Sequence, residues 1–107
     1  MAVISDLFID QGTDFSTTIT ISNLDLSGYQ VASQMRKLYS SSSAVSFVAT
    51  IDPTTAQQGI VKLELSASTS SGMKPGRYVY DIELTNPNGK KSRPIKGLVV
   101  IDPEVTR

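Results

Sequence analysis

Asp81 and Glu83 are the residues whose spacing comes nearest to chemistry. They stand two apart in an alternating stretch, Tyr78-Val79-Tyr80-Asp81-Ile82-Glu83-Leu84. In an extended chain this puts both carboxylates on one face, roughly 7 Å apart. Paired carboxylates serve acid–base chemistry or hold a cation. A solvated outer face is the better explanation, with Lys96 expected opposite as an ordinary cross-strand charge partner. Asp6, Asp10 and Asp14 repeat every four residues. They would share a face on a helix, but across strand, turn and strand they need not meet. The alternating ligands, glycine and terminal glutamate of a calcium loop are missing.

Gly89-Lys90-Lys91-Ser92 has the ending of a phosphate-binding loop but lacks its upstream glycine, and a strand rather than a helix is expected after it. Serines are abundant, yet none sits in a Gly-x-Ser-x-Gly elbow. The chain has no histidine and no cysteine. It therefore lacks the commonest general base near neutral pH, the commonest zinc ligand, thiol nucleophiles and disulfides. No enzymatic activity, cofactor or metal is expected. The absence of disulfides is compatible with synthesis in a reducing cytoplasm.

The elements that would position these side chains are strands. Tyr78, Tyr80, Ile82 and Leu84 alternate with Val79, Asp81 and Glu83, the period-2 pattern of a half-buried strand. Asn86-Pro87-Asn88-Gly89 supplies a turn, in which proline presets one dihedral and glycine takes the left-handed conformation. Ile95, Gly97, Val99 and Ile101 then resume the inward positions. Upstream, strands are expected at Ile4–Ile9, Phe15–Ile21, Tyr29–Leu38, Val45–Ile51 and Ile60–Leu65. Leu24 and Leu26 should cover the core from a connection. Ser66–Met73 is the only stretch expected to form a helical turn. Short strands separated by polar turns indicate an all-β fold: one domain over residues 1–107, an antiparallel immunoglobulin-like β-sandwich of about seven strands.

With 107 residues, 39% of them hydrophobic and 19% charged, the chain is expected to fold around its own core. Ten lysines and arginines balance ten acids. Zero net charge argues against a nucleic-acid partner and against an electrostatic hold on an anionic membrane. No apolar run approaches the roughly 20 residues of a membrane-spanning helix. Residues 1–15 lack a basic start and a long apolar stretch, so no signal peptide is expected.

This leaves surfaces as the place to look for function. If Val99 and Ile101 face inward, Leu98 and Val100 face outward on the same strand, with Val79 outward on its neighbour. Such an apolar patch suggests a buried subunit contact, unless the chain's own first strand or tail covers it. Pro94 should mark an unpaired or bulged place in the last strand and put that strand near an edge. Tyr39, before the serine run Ser40–Ser43, is either an exposed contact or a core cap. Lys90, Lys91 and Arg93 form a charged turn that suits solvent or an acidic partner.

Several segments occur in an order and spacing that resemble a known family. They are Leu7-Phe8-Ile9-Asp10-Gln11-Gly12, Leu26-Ser27-Gly28-Tyr29 leading to Gln34-Met35-Arg36-Lys37, and Gly59-Ile60-Val61-Lys62-Leu63-Glu64-Leu65-Ser66. Pro75 to Leu84 and the closing Asp102-Pro103-Glu104-Val105-Thr106-Arg107 complete the set. The family comprises small immunoglobulin-like β-sandwich structural proteins of tailed bacteriophage virions, related to N-terminal domains of upper-baseplate and fibre-anchoring proteins. The resemblance implies a non-enzymatic virion component in the tail, baseplate or fibre base. It would be made in the host cytoplasm and docked in many copies on other virion proteins, and possibly on itself. A capsid decoration protein, or a soluble carbohydrate- or protein-binding sandwich, are the alternative expectations; clustered exposed aromatics would favour the last.

Overall fold

In the computed structural model, residues 3–21, 24–38 and 40–105 are described. Nine strand segments follow one another: β1 (Val3–Ile4), β2 (Leu7–Asp10), β3 (Phe15–Thr20), β4 (Gln30–Arg36), β5 (Val45–Ser46), β6 (Val48–Thr50), β7 (Ile60–Leu65), β8 (Gly76–Thr85) and β9 (Lys91–Asp102). A short 3-10 helix at Ala56–Gln58 and one helical turn, α1 (Ala67–Ser71), complete the chain. The strands make two sheets. The larger has the order β1/β2–β9–β8–β4–β5 and the smaller β3–β7–β6. This is an immunoglobulin-like sandwich.

The expected seven strands and the observed nine are the same stretches of chain, because two of them are broken. Val45–Ile51 changes sheets midway. Val45 and Ser46 pair with Met35 and Gln34 of the larger sheet, whereas Val48, Ala49 and Thr50 pair with β7 of the smaller. Phe47 marks the crossing. Its N–H donates to the Ser33 carbonyl at 2.9 Å, and its ring packs against Phe15 and Tyr80 at centroid distances of 6.3 and 6.1 Å. The first strand is broken at Ser5–Asp6.

The expectation of an antiparallel sandwich needs one correction: the larger sheet is mixed. β1 and β2 run parallel to β9 at one constant register, with Val3 beside Ile95 and Leu7 beside Val99. The first strand reaches β9 across the sandwich edge rather than by a hairpin, so no tight turn forces the two antiparallel.

Inward residues from both sheets meet in one core. Leu7, Ile9, Met35, Tyr80, Ile82, Leu84, Ile95, Val99 and Ile101 come from the larger sheet, and Val61, Leu63 and Leu65 from the smaller. Leu26 closes the core from its connection, at 1% exposure. The alternation along β8 and β9 therefore assigned their faces correctly. α1 forms where expected. Ser66 caps it by accepting from the Thr69 N–H, and Asp14 Oδ1 accepts from the Ala67 N–H at 2.8 Å.

Candidate interaction surface

The outer face of the larger sheet is organised by a local exchange of hydrogen bonds. The N–H groups of Ser5 and Gln11 donate to Lys96 and Asp102 carbonyls on β9, so the odd-numbered residues of the first strand turn their backbone toward β9. A regular parallel ladder would have the Ser5 carbonyl accept from the Leu98 N–H. Instead it turns inward and accepts from the Tyr80 hydroxyl. The Asp6 carboxylate takes its place on the Leu98 N–H at 3.0 Å. Gly97 makes room, because a Cβ there would overlap the Ser5 carbonyl oxygen. Burial pushes the Tyr80 phenol above its ordinary value, the Ser5 bond opposes this, and the nearby Asp6 charge adds to it.

The register then arranges the outward side chains in rows across four strands. One row reads Asp6, Leu98, Val79, Arg36. The next toward the hairpin reads Ile4, Lys96, Asp81, Gln34. On the other side lies Phe8, Val100, Arg77. The anticipated patch exists: Val79 and Leu98 are direct cross-strand neighbours, with Val100 beside them. Leu98 is 38% exposed, while Val79 and Val100 are half-buried. The first strand does not cover them. It joins the sheet edge-on and extends the patch with Phe8, 68% exposed, and Ile4, 70% exposed. These two are the residues that sequence reasoning missed. The signal was present, since Phe8 falls between inward Leu7 and Ile9.

Pro94 sits at a bulge, as anticipated. The ladder shifts there: Ile82 faces Ile95, but Leu84 faces Ser92. β9 also lies near an edge, as anticipated: it is one strand in from β1/β2, whose pairing with it begins at Ile95, so among the described residues β8 alone flanks residues 91–94. A proline lacks one ladder donor and can be absorbed inside a sheet by a bulge. The outer strand is β1/β2.

The carboxylates are engaged in ion pairs. Arg93 Nε lies 3.3 Å from Asp81, and its Nη2 lies 2.8 Å from Glu83. Lys91 Nζ lies 3.7 Å from Glu83. Lys96 is the ladder partner of Asp81, as expected, but Arg93 makes the ion pair because the bulge swings it toward β8. A shallow, open trough of about 320 Å³ lies above, lined in part by Ala32, Gln34 and Arg36. The three aspartates at four-residue spacing are separated in use: Asp6 holds Leu98, Asp14 caps α1, and Asp10 is exposed. Among the described residues, no group of three or more acids, histidines or cysteines could hold a metal ion.

Lys90 and Lys91 are exposed near the tip of the β8–β9 hairpin, whose turn is held by Asn86 Oδ1 accepting from the Asn88 and Lys90 N–H groups. They stand well away from Leu98 along the strand and do not join the apolar rows. Tyr39 lies outside the described residues.

No family model and no curated protein matches the sequence. Among solved structures, the chain is similar to a proposed glycoside hydrolase of Bacteroides vulgatus, with a TM-score of 0.52 and 8% identity over 94% of this chain and 17% of that one. It is also similar to an internalin-like protein of Listeria monocytogenes, with a TM-score of 0.47 and 16% identity over 96% of this chain and 28% of that one. The chain thus spans less than a third of either protein, and the likeness to the first is one of fold alone.

Proposed function

We propose that this chain is a non-enzymatic structural module of a tailed-bacteriophage particle, set in its tail or baseplate, and that it docks through the outer face of its larger sheet. The observation that carries this reading is the contiguous apolar strip of Phe8, Val100, Leu98 and Val79 on a domain whose inward positions are already filled. Burying a large apolar side chain contributes about 1.5–3 kcal/mol before association costs. Such a strip favours a covered state. One contact of this size is weak, and repetition on a symmetric particle would make it persistent.

The chemistry-bearing candidates support the non-enzymatic side of the reading. Asp6, Asp14, Asp81 and Glu83 each have a structural partner. A carbohydrate-binding sandwich would offer a platform of aromatic rings. Among the described residues, Phe8 is the one aromatic that is largely exposed. The sequence resemblance to virion proteins points to the particle as the site of docking.

Antiserum against the folded chain, applied to gradient-purified particles of the source phage, tests this. Labelling at the tail or baseplate is expected. Labelling of the capsid would favour the decoration role, and absence from purified particles would contradict the proposal.

A further inference from the structure

We infer that the partner covering this face is a second copy of the same chain, packed sheet to sheet about a two-fold axis that runs along the strands between β8 and β9. The inference rests on the reading that this face is covered in the assembled state. It names the occupant from the pattern of charge.

A two-fold axis in that position sets each column of one copy against its mirror column in the other. β9 faces β8 of the second copy, and β1/β2 faces β4. The row Asp6, Leu98, Val79, Arg36 then reads in reverse across the interface. Asp6 meets Arg36 of the second copy at both ends, and Leu98 meets Val79 in the middle. In the next row, Lys96 meets Asp81. In the third, Arg77 comes opposite Val100 and one strand from Phe8, within reach of its ring face. In the first row and at the centre of the second, acid meets base and apolar meets apolar, and the symmetry repeats each pair; Ile4 opposite Gln34 and Val100 opposite Arg77 are the mixed contacts. An isologous contact requires this self-complementarity.

The bases of these pairs have no acidic partner among the described residues, whereas Asp6 already accepts from the Leu98 N–H and Asp81 already lies 3.3 Å from Arg93, so each acid would share its carboxylate with the second copy. Arg36 bonds only the neutral oxygens of Ser41 and Gln34, and Lys96 and Arg77 make no ion pair with a described residue. Face-to-face sheets pack about 10 Å apart within about 30° of aligned, a gap that such side chains span. Three rows on four strands cover roughly 400 Å² per copy from strand spacing. That is about 800 Å² in all, below the roughly 1,200–2,000 Å² of stable specific complexes and of the size of weak, transient ones, so the dimer is expected to be about micromolar or weaker.

The symmetry supplies a direct test. Lys96→Asp places two acids across the axis, and Asp81→Lys places two bases there. Sedimentation velocity from micromolar to millimolar concentration should show the parent chain associating. Each single variant should associate about tenfold or more weakly, from like charges brought face to face. An equimolar mixture of the two variants pairs acid with base at both positions, so a heterodimer should form to within about threefold of the parent affinity. The double exchange in one chain should restore self-association, and circular dichroism melts verify that each variant is folded. A parent that stays monomeric, single variants that associate as the parent does, or a mixture no tighter than its components would each overturn the inference. A monomeric parent whose particle incorporation is nonetheless lost on charging Leu98 and Val100 would sink self-pairing alone and leave the docking reading standing.

Discussion

Tyr80 donates its hydroxyl to the main-chain carbonyl of Ser5, 75 residues earlier, and thereby frees the Leu98 N–H for the Asp6 carboxylate. The pair of bonds locks the first strand to β9 and holds Phe8 beside Val100 and Ile4 beside Lys96, on either side of Leu98. The exposed strip is thus set by a buried tyrosine on the other side of the sheet.

Tyr80→Phe is expected to keep the packing and lose the bond, leaving the Ser5 carbonyl short of a partner at a cost of about 1–3 kcal/mol. Tyr80→Ala should cost about 3–5 kcal/mol, as for other large buried aromatics. Gly97→Ala should cost about 1–3 kcal/mol, because its methyl group displaces the same carbonyl. Urea unfolding measures all three. A Tyr80→Phe loss within error of zero would show that the bond does no stabilising work.

The pH dependence follows from the same residue. Burial raises the Tyr80 phenol above its ordinary value of 10.0 in the folded chain. The folded state therefore holds this proton more tightly than the unfolded state does. The associated stability is fully present below about pH 10 and is lost as pH rises through the folded-state value. The stability gap between the parent and Tyr80→Phe should narrow above pH 10. A gap that widens there would contradict the assignment.

Asp6→Ala should leave the core intact while loosening the first strand. Loss of one partly exposed, charge-assisted bond is expected to cost about 1 kcal/mol. Amide hydrogen exchange at Leu98 should accelerate, with Val99 and Ile82 little changed. Unchanged protection at Leu98 would show that another acceptor replaces the carboxylate.

Asp81→Asn should change stability by no more than about 0.5 kcal/mol, since exposed ion pairs contribute little. Titration calorimetry of the parent chain with calcium or zinc should show no stoichiometric heat. Tight binding abolished by Asp81→Asn would revive the metal reading of the carboxylate pair.

Much of this was legible in the sequence, for identifiable reasons. The β8–β9 hairpin was clear because strict alternation flanks a turn whose asparagine, proline and glycine each have a defined backbone role. The sheet change at Phe47 was hidden. Val45, Phe47, Ala49 and Ile51 face the shared core whichever sheet they belong to, so alternation cannot report the crossing. The parallel pairing of β1 and β2 was hidden too, because a period of two carries no strand direction. For the surface, alternation placed Val79, Leu98 and Val100 outward. Phe8 and Ile4 could join them only once the neighbour of β9 was known. Pro94 signalled the bulge, but the single residue did not say which way the register shifts, and the Arg93 pairing with Asp81 and Glu83 depended on that.

The most direct measurement for the central claim is the incorporation into particles of a chain carrying Leu98→Asp and Val100→Lys. Both positions face outward, so the domain should stay folded, with a melting temperature close to that of the parent. Its copy number in gradient-purified particles should fall about tenfold or more, since the apolar contact is lost and charge is buried in its place. Parent-like incorporation of a folded double variant would contradict the account and move the docking surface off this sheet face.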